Sequence, residues 1–537
     1  MSPRLNDLRL KEIDLRQFIR LGVEHIYHGA INRRRACLPL VRFGLTESPP
    51  WARHEYWGSP HMVGRFLDAL AVSAPIIDLP DDEEADDGLR QLLFACLNNP
   101  TGFAFDTLPN PDGKRSAAMH HCREVLLALT GLIQWKNCGE SRKLARQFVR
   151  TIEAATRETG TFPAPLLFED GWAKNPPPAP SRGGENIEEN FPNTHSGRLI
   201  GALVKYYRVT NDAVALDIAI RFAEHNIAQT FTSEGELTKL AGTHLHSTEG
   251  TVTAIIDLGI MTNESYYIDL GKRLYDVGLR PWRTSFGWAK ESRNLAEGRG
   301  EANNTGDFIE AALLLGQAGY PNSGEFGYEY FADAERMMRN GLFASQIINT
   351  DWIPEYDGTP DTDDYIYSDA KSRARGAFVF TTPNDYHSYN TDLVGGAVQS
   401  LCEAWNVIFT KEQAGLHVNL LFSKASEEIT MRSHLPEEGR LEIAVHQDYP
   451  LFIRRPQWLS RDTLQVLVNG QAHSPKFYRH EVFIQGLMPN DKVELIFPQT
   501  KRYTNEAAAG YDKPYQVEWL GDTIINISPQ GKIARLY

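Results

Sequence analysis

The sequence predicts a mainly α protein: an (α/α)6 barrel followed by a C-terminal antiparallel β-sandwich. Three observations lead there. Amphipathic windows with three-four spacing recur over the first three quarters of the chain. One helical hairpin repeats without gaps. After about residue 412 the pattern changes to short β-rich runs separated by turn signals.

The first window, residues 12–28, places Leu15, Phe18, Ile19, Gly22, Val23 and Ile26 on one face. Similar windows follow at 60–74, 84–98, 117–136, 140–157, 195–209, 212–230, 245–260, 264–278, 302–318, 325–346 and 391–409. No β-type alternation competes with them. The repeat aligns residues 203–225 with 255–277. Thr210, Asn211, Asp217 and Arg221 match Thr262, Asn263, Asp269 and Arg273. Each copy reads as a helix, a Thr-Asn-acid turn that caps the next helix, and that helix. About six such hairpins fit a closed toroid better than an open solenoid.

The tail runs HVNLLFS, EEITMRS, RLEIAVHQ, LFIRRP, TLQVLVNG, EVFIQG, KVELIFP and TIINISP read as sandwich strands, with VLVNGQ and LMPNDK as hairpin turns. The division expected is a catalytic domain over 1–411 and a sandwich over 412–537. Two long loops, 171–193 and 357–369, are candidate site walls or mobile surface.

Composition narrows the function classes. The 55 Lys and Arg stand against 69 Asp and Glu, a net charge of −14. That argues against a nucleic-acid partner. No run approaches the apolar length of a membrane helix. The polar N-terminus shows no secretory signal, so a cytoplasmic location is expected. Cys37, Cys96, Cys122, Cys138 and Cys402 are scattered and never in a CxxC pair, which fits reduced thiols without a disulfide framework. No nucleophile elbow, phosphate loop or dinucleotide fingerprint is present. No cofactor is expected.

Polar residues that interrupt helix starts are the candidates for a site at one end of a toroid. His61, Arg65 and Asp68 share a helix face and read as a sugar-binding edge, or as a self-paired solvated face. Thr194, His195 and Arg198 open another helix, where hydroxyl or anionic groups are welcome. His244 and His246, with Ser247 and Glu249, open a third. His-x-His lacks an evident third ligand, so no metal site is expected and sugar hydrogen bonding is the reading. The segment 286–315 is richest, with Trp288, Glu291, Glu297, Glu301, Asn303 and Asp307. A glycosidase needs two carboxylates about a bond and an aromatic floor, and this segment offers both. Asn384, Asp385, Tyr386, His387, Tyr389, Asn390 and Asp392 precede the last helix. Asp392 also suits a helix first turn without any chemistry.

HSGRLIGALVKYYRVTND, GEANNTGDFIEAALLLGQAG and the tail LFIRRPQWL…LQVLVNG…GLMPNDKVELIFP resemble the β-L-arabinofuranosidase-like superfamily, the glycoside hydrolase family 127 group and its relatives. The resemblance implies an (α/α)6 barrel with β-sandwich elements. It also implies a zinc-bound cysteine nucleophile, held by a Glu-Thr-Cys motif and a Cys-Cys pair. Here the first motif reads Glu301-Ala302-Asn303, and the second falls near His387–Thr391 with no cysteine. The departure points to a relative with carboxylate chemistry, similar in character to the β-glucuronidases of glycoside hydrolase family 154. Arg65, Arg198, Arg299, Arg373 and Arg375 are the cations available to an acidic sugar.

The expected function is therefore an exo-acting glycoside hydrolase on oligosaccharides, uronic-acid-containing ones first, with β-L-arabinofuranosides as the alternative substrate. Glu291 is expected as general acid, its pKa raised against Trp288, with Glu301 as second carboxylate and Asp385, Asp307 and Asp392 in reserve. Sugar contacts are expected from His61, Arg65, Asp68, His195, Arg198, His244, His246, Trp288, Asn303, Asn384 and Tyr389. The competing readings are a lyase using Tyr389 with His195 or His244, and an inactive carbohydrate-binding homologue. Expected partners are the oligosaccharide and a second copy of the chain, with neither nucleic acid nor membrane.

Overall fold

A computed structural model describes residues 2–173, 192–296, 298–320 and 329–537. The loop 171–193 and Glu297 therefore lie largely or wholly outside the described residues. The helices are α1 (Leu15–His25), α2 (Ser59–Ser73), α3 (Glu83–Leu97), α4 (Cys122–Lys136), α5 (Gly139–Thr156), α6 (Leu199–Thr210), α7 (Ala213–Thr230), α8 (Leu245–Thr262), α9 (Ser265–Arg273), α10 (Ala302–Gln317), α11 (Tyr330–Met337), the single turn α12 (Ala370–Arg373) and α13 (Asp392–Val407).

Their packing separates them into two layers. Helices α2, α4, α6, α8, α10 and α13 each touch the next, and α13 returns to α2. Each carries one outer partner: α3, α5, α7, α9, α11 and α1 respectively. Inner helices such as α8 are buried nearly all round, whereas α1 and α5 bury a single stripe. Small residues set the closest contact. A Cβ on Gly64 of α2 would lie 2.7 Å from the backbone of Glu124 in α4.

The repeat has a structural meaning. Asn211 and Asn263 both close an inner helix with positive φ, 54° and 58°. Asp212 then caps α7 by accepting from the Val214 N–H. Glu264, its counterpart, makes no side-chain cap to α9.

Short strands interrupt the helical region, contrary to the sequence reading. Tyr365–Ile366, Trp51–Arg53, Arg42–Gly44, Tyr386–Asn390 and Phe380–Thr381 form a five-stranded sheet in that order. Runs of two to five residues are too short to generate a period-two signal.

The β-rich tail begins at Phe409, three residues before the expected boundary. Sheets of five and six strands hold residues 409–496, and a third of three strands holds 501–528. The expectation of a wholly antiparallel tail is corrected at one place: Gly415–Val418 pairs parallel with Leu451–Arg454. Asn469 and Gly470, both at positive φ, make the expected two-residue hairpin. LMPNDK is not a hairpin turn, because the strands it joins belong to different sheets.

The tail is locked to the helices. Buried Glu335 accepts from the Leu421 N–H at 2.8 Å and pairs with Arg339 and Arg454. Leu5, the rim sheet and the last two strands share a second apolar core.

Candidate active site

All six inner helices start at one end of the ring, and a cavity of about 1640 Å³ opens there. Its wall takes His61 and Arg65 from α2, His120 and His121 from the turn before α4, and His195 and Arg198 from the turn before α6. His244 and His246 come from the start of α8, Glu301 from α10 and Asp392 from α13. The positive ends of six helix dipoles therefore face the cavity. The rim sheet adds Trp51, Tyr386, His387 and Tyr389.

Glu291 and Glu301 are ten residues apart, and a short antiparallel pairing brings them together. Lys290 pairs with Gly300, and the Glu291 N–H donates to the Arg299 carbonyl at 3.1 Å. Gly300 is required because a Cβ there would sit 2.4 Å from the Trp288 indole nitrogen. His244 joins the pair, since the Leu245 N–H donates to the Glu291 carbonyl at 2.9 Å. One side-chain ligand atom each of His244, Glu291 and Glu301 lies within 4.8 Å of the others.

The two carboxylates have different surroundings. Glu291 is 1% exposed and held side-on by Nε and one Nη of the Arg299 guanidinium, with the Nη contact at 2.8 Å. Such a fork is the natural partner of an ionised carboxylate. Glu301 accepts from the Asn303 amide at 2.7 Å and has no guanidinium of its own among its hydrogen bonds. Burial, then the charges of Glu291 and Asp392, raises its pKa from 4.5 to about 8.

A second, deeper network organises the floor. Arg198 donates to Glu124 at 2.6 Å, and Arg65 lies 3.4 Å from the same oxygen. Burial alone would raise the Glu124 pKa, but Arg198, His61 and Arg65 hold it well below the usual carboxylate range. Arg65 and Arg198 also donate to His246 Nε2, at 2.9 and 3.2 Å. His246 Nδ1 meets Asp307 at 2.5 Å. Burial raises Asp307 to about 7. Burial also lowers His61, His120, His195 and His246, and brings His121 to about 3, so these imidazoles are neutral at pH 7. Arg65 further donates to Asn303 at 3.3 Å, which links the floor to Glu301.

The structure thus brings together Glu291, Glu301, His61, Arg65, His195, Arg198, His244, His246 and Tyr389 on one wall, with Asn303 behind Glu301. Four candidates lie elsewhere. Asp68 is buried against Lys205 at 2.6 Å. Trp288 is no aromatic floor: it packs behind Gly300, donates to the Thr381 carbonyl and meets Tyr511 edge-on. Asp385 accepts from the N–H groups of Lys532, Ile533 and Ala534 and anchors the C-terminus. Asn384 donates to the Pro529 carbonyl. Of the other cations proposed for an acidic sugar, Arg373 is spent on Asp369 and the carbonyls of residues 28, 29 and 31, and Arg375 is exposed away from the cavity wall.

Sequence reasoning passed over Glu124, His120 and His121. Their signal was slight: two adjacent histidines just before an apolar helix, with an acid three residues on.

A thiolate zinc centre of the kind the family resemblance implies does not fit these residues. Asn303 stands where a thiol is needed and is committed to Glu301 and Arg65. Cys402 faces Ser73 between α13 and α2 at 3.5 Å, and the other four cysteines do not line the cavity.

Comparison with known proteins agrees with this architecture. Residues 116–322 match the catalytic domain of the family 127 β-L-arabinofuranosidases. Among solved structures, a family 127 β-L-arabinofuranosidase from Geobacillus stearothermophilus T6 is 12% identical, with 88% of this chain and 78% of that chain covered and a TM-score of 0.57. A second family 127 β-arabinofuranosidase is 14% identical, covering 97% and 84%, at 0.63. A D-mannose isomerase is 14% identical, covering 72% and 97%, at 0.50. At these identities the likeness is one of fold. No curated protein matches the sequence. The domain match supports a glycoside hydrolase, with a family 127-like helical region and a sheet-rich C-terminal part. Among the described residues no helix is long and apolar enough to cross a membrane.

Proposed function

We propose that this chain is an exo-acting glycoside hydrolase that removes a neutral pentofuranose, of the β-L-arabinofuranoside type, by a two-carboxylate mechanism on an (α/α)6 barrel. The observation that carries the mechanism is the unequal pair: Glu291 in an arginine fork, and buried Glu301 with the Asn303 amide as its partner, where burial and the charges of Glu291 and Asp392 favour the protonated form. These environments reverse the roles expected from the sequence. Glu301 protonates the leaving oxygen, and Glu291 attacks the anomeric carbon as nucleophile. The glycosyl-enzyme ester forms as the glycosidic bond breaks. Glu301, now ionised, takes a proton from water, and that water releases the sugar and restores Glu291. The pair's closest ligand oxygens, within 4.8 Å, suit this retaining route better than the wider gap an inverting water needs.

The neutral sugar follows from charge. Arg65, Arg198 and Arg299 at the wall already serve His61, His246, Asn303, Glu124 and Glu291. Arg42 and Lys114, also on the wall, pair with Glu55 and Asp170 at 3.1 and 3.5 Å, so a uronate would have to compete with a partner already in place at each of these cations. The domain match to β-L-arabinofuranosidases supports the same choice.

A panel of nitrophenyl glycosides tests the reading. Release is expected from the β-L-arabinofuranoside and retained in Cys402→Ser. Release from the β-glucuronide alone would overturn the neutral-sugar assignment. A new double bond in place of a reducing end would mean a lyase.

A further inference from the structure

We propose that His61, His120 and His121 form a binding site for a divalent first-row transition cation of the zinc type, distinct from the Glu291–Glu301 pair. His61 lies in the first turn of α2. His120 and His121 lie in the single turn, Met119–His121, that leads into α4. One ring nitrogen of each lies within 4.8 Å of the others. The ring centroids are 4.1 Å apart for His120 and His121, and 5.4 Å for each of these to His61. Zinc–nitrogen bonds would set the ligand nitrogens about 3.4 Å apart, so the rings need to draw in by roughly an ångström.

Three features separate a ligand set from mere packing. His121 is 2% exposed, yet neither of its ring nitrogens has a hydrogen-bond partner. Buried polar atoms are normally satisfied, and an apolar ring would fill the same space without that cost. Glu124 Oε2 faces His61 Nδ1 at 3.5 Å. A carboxylate beside a histidine is the arrangement that orients imidazoles around a metal. Finally, all three histidines line the cavity, which gives an ion an entry path and leaves a coordination position open.

No guanidinium hydrogen-bonds His121, whose two ring nitrogens stay unpartnered. Arg198 is turned onto Glu124 Oε1 and His246 Nε2, and Arg65, which shares these two acceptors, also donates through Nε to His61 Nε2 at 3.1 Å, a bond that zinc would replace. An all-imidazole set selects zinc, copper or nickel over calcium and magnesium.

The test uses untagged full-length protein stripped with a chelator. It is titrated with Zn²⁺ by calorimetry and with Co²⁺ by visible absorption. One equivalent of zinc per chain is expected, with cobalt bands of a nitrogen-rich site and a rise in Tm on zinc addition. His121→Asn and the half-buried His120→Ala should each weaken zinc binding by about 100-fold. Glu301→Gln should leave it unchanged. Circular dichroism confirms that each variant is folded. No zinc uptake by the wild type at millimolar concentration overturns the proposal, as does uptake that survives in both histidine variants. Loss of uptake in Glu301→Gln alone would place the ion at the carboxylates instead. None of these readouts depends on turnover, so the site stands or falls apart from the glycosidase reading.

Discussion

Glu301→Gln separates catalysis from stability in a way few substitutions do. The change keeps the shape of the side chain and its contact with Asn303, but removes the proton that the leaving oxygen needs. Loss of a general acid lowers kcat by about 10²–10⁴. The loss should be larger for an oligosaccharide than for a nitrophenyl glycoside, because nitrophenolate leaves with little protonation. Wild-type activity should fall as pH rises through about 8, where Glu301 ionises. That alkaline limb should vanish in the variant. Stability should move the other way. The folded-state pKa lies above the unfolded value of 4.5, so the native state binds more protons between pH 4.5 and about 8 and loses stability across that window. Glutamine does not titrate. The variant should therefore gain up to about 3 kcal/mol over wild type at pH 7. Thermal unfolding at pH 5 and pH 8, beside kcat/KM against pH, reads both effects. A variant that hydrolyses the oligosaccharide within tenfold of wild type, or whose Tm falls at pH 8, would refute the reasoning.

Other substitutions probe the scaffold and the second carboxylate. Glu291→Ala should lower turnover by about 10³ or more, with azide restoring release of the nitrophenol. Failure of rescue with intact folding would argue against Glu291 as nucleophile. Gly64→Ala drives a methyl onto the Glu124 backbone and should destabilise by about 1–3 kcal/mol, seen as a lower denaturant midpoint. An unchanged midpoint would mean α2 and α4 move apart freely. Asp385→Asn removes a charged acceptor from three backbone N–H groups of the C-terminal segment, which should cost about 2 kcal/mol while turnover per folded molecule persists. Loss of kcat there would return Asp385 to the site.

The helical windows and the repeat were legible because each amphipathic helix carries its own period, and the Thr-Asn turns at 210–211 and 262–263 are local chemistry. The rim sheet was not legible: its strands are too short for a period, and two of its four pairings join residues more than 300 positions apart, as Phe43 with Tyr389. The same limit governs the site. Glu291 and Glu301 were singled out as types, but only the pairing of Lys290 with Gly300 shows that they converge. Their roles depend on which one Arg299 grips, and proximity in sequence cannot tell. Trp288 stands beside the acids in the chain yet faces the other way. Asp68 resembled a sugar ligand until Lys205, 137 residues on, emerged as its partner. Helix starts were sound guides to the cavity, since all six inner helices begin there.

The central claim is that Glu291 forms a covalent bond to the sugar while Glu301 handles the proton. A 2-deoxy-2-fluoro-β-L-arabinofuranosyl substrate with a good leaving group slows release of that intermediate, and peptide mapping by mass spectrometry locates it. The account predicts one fluorosugar per chain, carried on the peptide containing Glu291 and absent from Glu291→Ala. A label on any cysteine, or product of inverted configuration from the unfluorinated substrate, would contradict it.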